Sequence, residues 1–126
     1  MSKDPAKTDS ASAEITLSPV EFQILLALAE TDCHGYGIMQ RTEQRTRGSV
    51  NLEPGNLYRA LARLLERGLV ERCGRQRAPE SGMQRRRYYR ITARGRQGAA
   101  AQAGRMAELV EAARRAKLVP DPEASS

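Results

Sequence analysis

The chain has 126 residues, is 40% hydrophobic and carries a formal net charge of +6, which allows one modest core of roughly 100 structured residues. Its pI near 9.9 points to nucleic acid or an anionic surface as partner. No apolar run approaches the roughly 18 residues of a membrane span, and residues 1–14 lack the hydrophobic segment of a secretory signal. A cytoplasmic location is expected, without contact to a membrane and with Cys33 and Cys73 kept as thiols.

Residues 1–14 are polar, without apolar periodicity, and read as a disordered leader. Ser18-Pro19-Val20-Glu21 then opens a first helix: Ser18 caps, Pro19 suits the first position and Glu21 completes a capping box. This helix continues to Glu30 and is apolar around more than half its circumference, wider than a surface helix needs. Ile24, Leu25 and Leu28 are assigned to the core, which leaves Phe22 and Leu26 for a second surface such as a partner subunit. Residues 31–35 read as a connection with His34 a polar turn residue, and 36–45 as a second helix with Ile38 and Met39 inward. In the linker 47–53, Val50 and Leu52 alternate with polar neighbours and suggest a short third strand.

Residues 55–67 form the helix around which the rest is organised. Leu57, Leu61, Leu64 and Leu65 make one apolar stripe, Asn56, Arg59, Arg63 and Arg67 fall on or near the other side, and Gly68 closes the helix. The period then changes to that of strands over 69–73 and 85–91, separated by breakers at 78–82. From Arg72 to Arg96 there are nine arginines and one acid, Glu80, a field suited to regularly spaced phosphates. Helix followed by basic hairpin is the sequence form of a winged helix-turn-helix, a mainly α, α+β fold.

Thr92 caps a last helix running from Ala93 to about Leu118, stopped by Pro120. Ala99, Ala103, Met106, Val110 and Ala113 recur at four- and three-residue steps, and Leu109 widens the stripe. Small residues there permit close approach of a second helix but bury little area each, so the helix is also expected to cover the first one.

Leu25-Leu26-Ala27-Leu28, His34-Gly35-Tyr36-Gly37-Ile38, Pro54-Gly55-Asn56-Leu57-Tyr58-Arg59-Ala60-Leu61, Gly68-Leu69-Val70 and residues 86–95 together resemble the PadR family of bacterial transcriptional regulators. The resemblance implies a winged helix-turn-helix DNA-binding domain, here over 15–92, and a C-terminal dimerisation helix, here over 93–119; the polar residues 120–126 read as a flexible tail. It implies a homodimer, acting most often as a repressor. Asn56 stands where the family often has a small hydroxyl residue, and the short C-terminal part matches the compact branch.

On this reading Asn56, Tyr58, Arg59 and Arg63 face the major groove, Asn56 able to pair with adenine and the arginines with guanine or phosphate. The alternative is a solvated helix face. Tyr36 and Gln40 lie at the groove's edge, or Tyr36 is a half-buried core ring. In the second wing strand Tyr89 and Ile91 belong to the core, and Arg85, Arg86 and Arg87 near the tip reach phosphate or the minor groove, supported by Arg75 and Arg77. Phe22, Leu26, Ala99, Ala103, Met106, Leu109, Val110 and Ala113 are the expected dimer interface.

Enzyme chemistry is not expected. His34 is the only histidine, no glycine-rich phosphate loop is present, and Cys33, His34 and Cys73 have no metal-ligand spacing, so neither a cofactor nor a metal is assigned. Two functions from different classes remain: a homodimeric regulator binding an inverted repeat of double-stranded DNA, and a module that senses a small-molecule effector at the dimer interface. An interaction module for protein or RNA is a third.

Overall fold

The computed structural model describes residues 15–77 and 85–120, for the backbone alone at 75–77, 85 and 86. The expected leader, the breakers at 78–82 and the tail past Pro120 lie outside the described residues. In chain order the elements are α1 (Pro19–Glu30), β1 (Cys33–His34), α2 (Gly35–Thr46), α3 (Pro54–Glu66), β2 (Val70–Arg77), β3 (Arg85–Ile91) and α4 (Ala93–Arg115). This is a winged helix: α2 and α3 form the helix-turn-helix pair, and β2 and β3 the wing.

The first helix begins where its capping signal lies. The Ser18 amide donates to Glu21 Oε1 at 2.8 Å and the Glu21 amide to Ser18 Oγ at 3.1 Å, the reciprocal pair of a capping box. Ile24, Leu25 and Leu28 turn inward and meet Ile38 of α2, Leu57, Leu61 and Leu64 of α3, and Tyr89 and Ile91 of β3 in one core. Phe22, expected at a second surface, belongs to this core with 9% of its area exposed. The width of α1's apolar face is thus used within one chain, on one side by α3 and the sheet and on the other by α4.

The third strand is not at Val50 and Leu52. It is β1, whose Cys33 and His34 pair antiparallel with Tyr89 and Tyr88 in a sheet ordered β1-β3-β2. Polar groups of the linker are engaged locally instead: the Val50 amide donates to Thr46 Oγ1 at 3.2 Å, and the Asn51 carbonyl accepts from Asn56 Nδ2 at 3.3 Å. His34 has a further role, since its Nδ1 accepts from the Gly37 amide at 3.0 Å and caps α2, while its ring meets Tyr88 edge-on. The register between β2 and β3 slips between Arg72 and Arg75.

The last helix docks by its N-terminal half. Gly98 lies against Ile15, and Gln102 Nε2 donates to the Leu17 carbonyl at 3.4 Å. Beyond Gln102 the helix projects from the body, and it ends at Arg115, before the expected Leu118. There Lys117 turns left-handed with φ 66°, its amide donates to Arg114 O at 2.9 Å and that of Leu118 to Ala113 O at 2.8 Å, a Schellman closure.

One buried polar atom in α2 predicts a stabilising change. Thr42 is fully buried, and its Oγ1 has no hydrogen-bond partner among the described residues. A buried hydroxyl without a partner costs about 1–3 kcal/mol of desolvation, so Thr42→Val is expected to raise stability by about 1 kcal/mol in urea unfolding; a loss would contradict this packing.

Candidate nucleic-acid interface

The outward crest of α3 follows from which of its residues the core claims. Leu57, Ala60, Leu61 and Leu64 are buried, so Tyr58, Arg59 and Ala62 face solvent, Tyr58 with 49% of its area exposed. Asn56 sits at the third helical position, where its Oδ1 accepts from the Glu53 amide at 2.9 Å. Together with the bond from its Nδ2 to the Asn51 carbonyl, this engages both ends of the amide expected to face adenine, and it closes the start of the helix.

The arginines sort by whether a carboxylate holds them. Arg41 and Arg45 reach Glu30 at 3.1 and 3.0 Å, and Arg90 lies 2.9 Å from Glu71. Arg63 Nε donates to Glu21 Oε2 at 2.9 Å, and Arg67 lies 3.6 Å from Glu21 Oε1 while donating to the Thr16 carbonyl at 3.0 Å. Arg59, Arg72 and Arg87 are exposed and have no acidic partner among the described residues. Expected together at the groove, Arg59 and Arg63 therefore occupy different positions: Arg59 stands on the crest, and Arg63 lies on the flank toward α1.

Glu21 organises that flank. Only 4% of its area is exposed. Burial pushes its carboxyl up, but the Ser18 amide with Arg63 and Arg67 outweighs burial and holds it below its ordinary value of 4.5. A depressed folded value means that the linked stability is complete above pH 4.5 and is lost as the pH falls through the lower value. Glu21→Gln is expected to be less stable than the parent chain at pH 7, with the difference closing as both are acidified. Urea midpoints that differ equally at pH 7 and pH 3 would contradict this.

Tyr36 and Gln40 lie on the outer side of α2, with Gln40 Nε2 donating to Tyr36 Oη at 3.3 Å. Tyr36 is 52% exposed and stands outside the core, to which Tyr89 and Ile91 belong. Between α2, α3 and the wing runs a cleft of about 670 Å3, lined among others by Tyr36, Tyr58, Leu61, Leu65, Arg72 and Arg87. Gly35 at the start of α2 is what lets the Tyr58 ring lie there, since a Cβ at that position would overlap Tyr58 Oη and lie 2.9 Å from Cζ.

The side chains of Arg75, Arg77, Arg85 and Arg86 lie outside the described residues; their backbone pairs Arg75 with Arg87, Gln76 with Arg86 and Arg77 with Arg85. Arg72, not among the expected contacts, is exposed and lines the same cleft. The signal was the two-residue alternation that places Arg72 on the same face of β2 as buried Val70. Of the expected interface on the other side of the molecule, Leu26 and Ala99 are partly buried against the core. Ala103, Met106, Leu109 and Val110 are exposed, Leu109 by 70%, and Ala113 is half-buried.

Among the described residues no group of three or more His, Cys, Asp or Glu side chains could hold a metal ion. Cys33 and Cys73 lie on strands either side of β3. Burial, then the Asp32 carboxylate, pushes the Cys73 thiol up, away from a reactive thiolate. No helix among the described residues is long and apolar enough to cross a membrane.

Residues 24–101 match the family described as Transcriptional regulator PadR-like family. Among solved structures the chain is similar to a PadR family transcription regulator from hypervirulent Clostridium difficile, with 24% identity and a TM-score of 0.63 over 78% of this chain and 97% of that one. It is similar to a transcriptional regulator from Clostridium thermocellum, with 23% identity and a TM-score of 0.61 over 85% and 96%. Bacillus subtilis PadR in complex with operator DNA shows 16% identity and a TM-score of 0.60 over 70% of this chain and 48% of that one. The comparison with curated proteins gives no match.

Proposed function

The chain belongs to the PadR-like family of transcriptional regulators, and from that premise we propose that it is a homodimeric repressor that binds an inverted-repeat operator. In this reading α3 enters the major groove with Tyr58 and Arg59 foremost, Asn56 and Arg63 at its margins, and Tyr36 and Gln40 on the adjoining backbone. The wing, with Arg75, Arg77, Arg85, Arg86 and Arg87, follows the neighbouring groove. One observation carries the reading: Arg59 on α3 and Arg72 and Arg87 on the wing are exposed without a carboxylate partner among the described residues, and the cleft between those two elements, which Arg72 and Arg87 line, has no carboxylate in its lining. Positive charge left uncompensated along one surface is what a polyanion neutralises.

The projecting part of α4 supports the twofold. Met106, Leu109 and Val110 are exposed and apolar, and they continue a stripe whose earlier member Ala99 already packs on the core. A second copy laid against this stripe covers it and sets two α3 helices on one face of a duplex.

Gel shifts on the DNA upstream of the chain's own gene, taken across a salt series, test the proposal. Affinity is expected to fall steeply with salt, since each neutralised phosphate releases counterions, and to exceed that for unrelated sequence. Affinity flat in salt, or equal on all sequences, would overturn it.

A further inference from the structure

The geometry points to a definite occupant for the cleft between α3 and the wing: a single phosphodiester of the DNA backbone, gripped by Arg72 and Arg87. This assignment rests on the DNA-binding reading above and adds to it a contact residue, Arg72, and a place on the strand.

The sheet explains why these two arginines meet there. Val70 pairs with Ile91 and Arg72 with Tyr89. Alternation puts Val70 and Arg72 on one face of β2, and Ile91, Tyr89 and Arg87 on the corresponding face of β3. Val70, Ile91 and Tyr89 are buried against the helices, while Arg72 and Arg87 are exposed. The face therefore passes from core to cleft at Tyr89, and the two residues beside it there, Arg72 opposite on β2 and Arg87 two residues away on β3, are both guanidinium donors. Glu71, the acid adjoining Arg72 in sequence, alternates to the other face, where it holds Arg90 at 2.9 Å. No carboxylate is among the residues that line the cleft, and Tyr58 offers a hydroxyl from the α3 side.

The shape favours a polymer over an enclosed ligand. Small-molecule sites enclose most of what they hold, and this cleft is open to solvent, the two tyrosines beside it, Tyr36 and Tyr58, being 52% and 49% exposed. A helix in the major groove and a wing in the adjoining minor groove have one sugar-phosphate strand between them, and the cleft is the space between those two elements. Phosphate contacts of this kind fix register and orientation without reading sequence.

The experiment uses the full chain and an operator fragment selected from genomic DNA. Equilibrium binding is measured across a sodium chloride series for the parent chain, Arg72→Ala and Arg72→Lys, on fragments carrying a single methylphosphonate at each successive backbone position. Arg72→Ala is expected to weaken binding roughly tenfold and to lower the salt slope by about one, with sequence preference unchanged. Arg72→Lys retains the slope. At one backbone position the methylphosphonate and Arg72→Ala losses do not add, because both remove the same contact. Unchanged affinity and slope in Arg72→Ala, or losses that add at every position, would overturn the assignment while leaving operator binding intact. Competition by inorganic phosphate beyond that of chloride at equal ionic strength, abolished in Arg72→Ala, would give the cleft to a free anion instead. A parent chain that binds no fragment overturns the DNA-binding reading itself, and this assignment with it.

Discussion

Gly95→Ala is expected to destabilise the chain by about 3 kcal/mol, lowering its thermal midpoint by roughly 10–20 °C, although glycine to alanine inside a helix ordinarily stabilises by roughly 0.5–1 kcal/mol. The reason is the seat of α4. Thr92 caps the helix, its Oγ1 accepting from the Gly95 amide at 3.0 Å and donating to the Gly68 carbonyl at 2.7 Å. Its amide donates to the Leu69 carbonyl at 3.1 Å. These bonds draw the first turn of α4 down onto the residue that opens the wing, and a Cβ on Gly95 would overlap the Leu69 carbonyl oxygen and lie 3.0 Å from Ile91 Cγ1. Neither neighbour is a flexible side-chain end, so the helix must lift. Gly104 in the same helix is the control: nothing lies within 4 Å of its would-be Cβ, and alanine there is expected to give the ordinary gain. Calorimetry of the two variants decides it, and equal midpoints would contradict the docking of α4.

Arg59→Ala and Arg63→Ala are expected to separate binding from stability. Arg59 stands exposed on the crest of α3 with no acidic partner among the described residues, so its removal weakens operator binding roughly ten- to hundredfold and leaves the unfolding midpoint unchanged. Arg63 donates to a buried carboxylate at 2.9 Å. Its removal leaves Arg67, at 3.6 Å, as the one cation beside Glu21 among the described residues, and costs about 1 kcal/mol, moderated because the Arg63 side chain is half exposed and water takes part of its place. Any loss of affinity in Arg63→Ala then follows from a looser α3 and is partly restored by conditions that stabilise the fold. Binding isotherms and urea unfolding on both variants give the comparison. Two variants that lose affinity equally without loss of stability would show that Glu21 does not hold Arg63 away from the groove.

The contrast between these arginines marks how far the sequence could be read. Elements with a local signal were legible: the capping box at Ser18 and Glu21, the leucine stripe of α3, and the alternation that buries Tyr89 and Ile91. Features depending on distant partners were not. Glu21 and Arg63 lie on different helices, and nothing in either helix alone tells that they meet. Cys33 and His34 are too short a run to read as a strand, and they become one only because β3 offers them an edge. Phe22 looked spare because the apolar width of α1 cannot say which of two neighbours covers it. The end of α4 was missed because a lysine, in place of the usual glycine, takes the left-handed position that closes it. Arg72 was within reach, by carrying the alternation of β3 across to β2.

On the proposed reading, α3 and the wing present their uncompensated arginines to adjoining grooves of one duplex, twice per dimer. Hydroxyl-radical footprinting of genomic fragments enriched by the purified chain tests it most directly. Two protected half-sites of inverted sequence are expected, centred about 34 Å or one helical turn apart, with protection weakened in both by Arg59→Ala. Protection without a repeated half-site, or enrichment no greater than for bulk DNA, would contradict it.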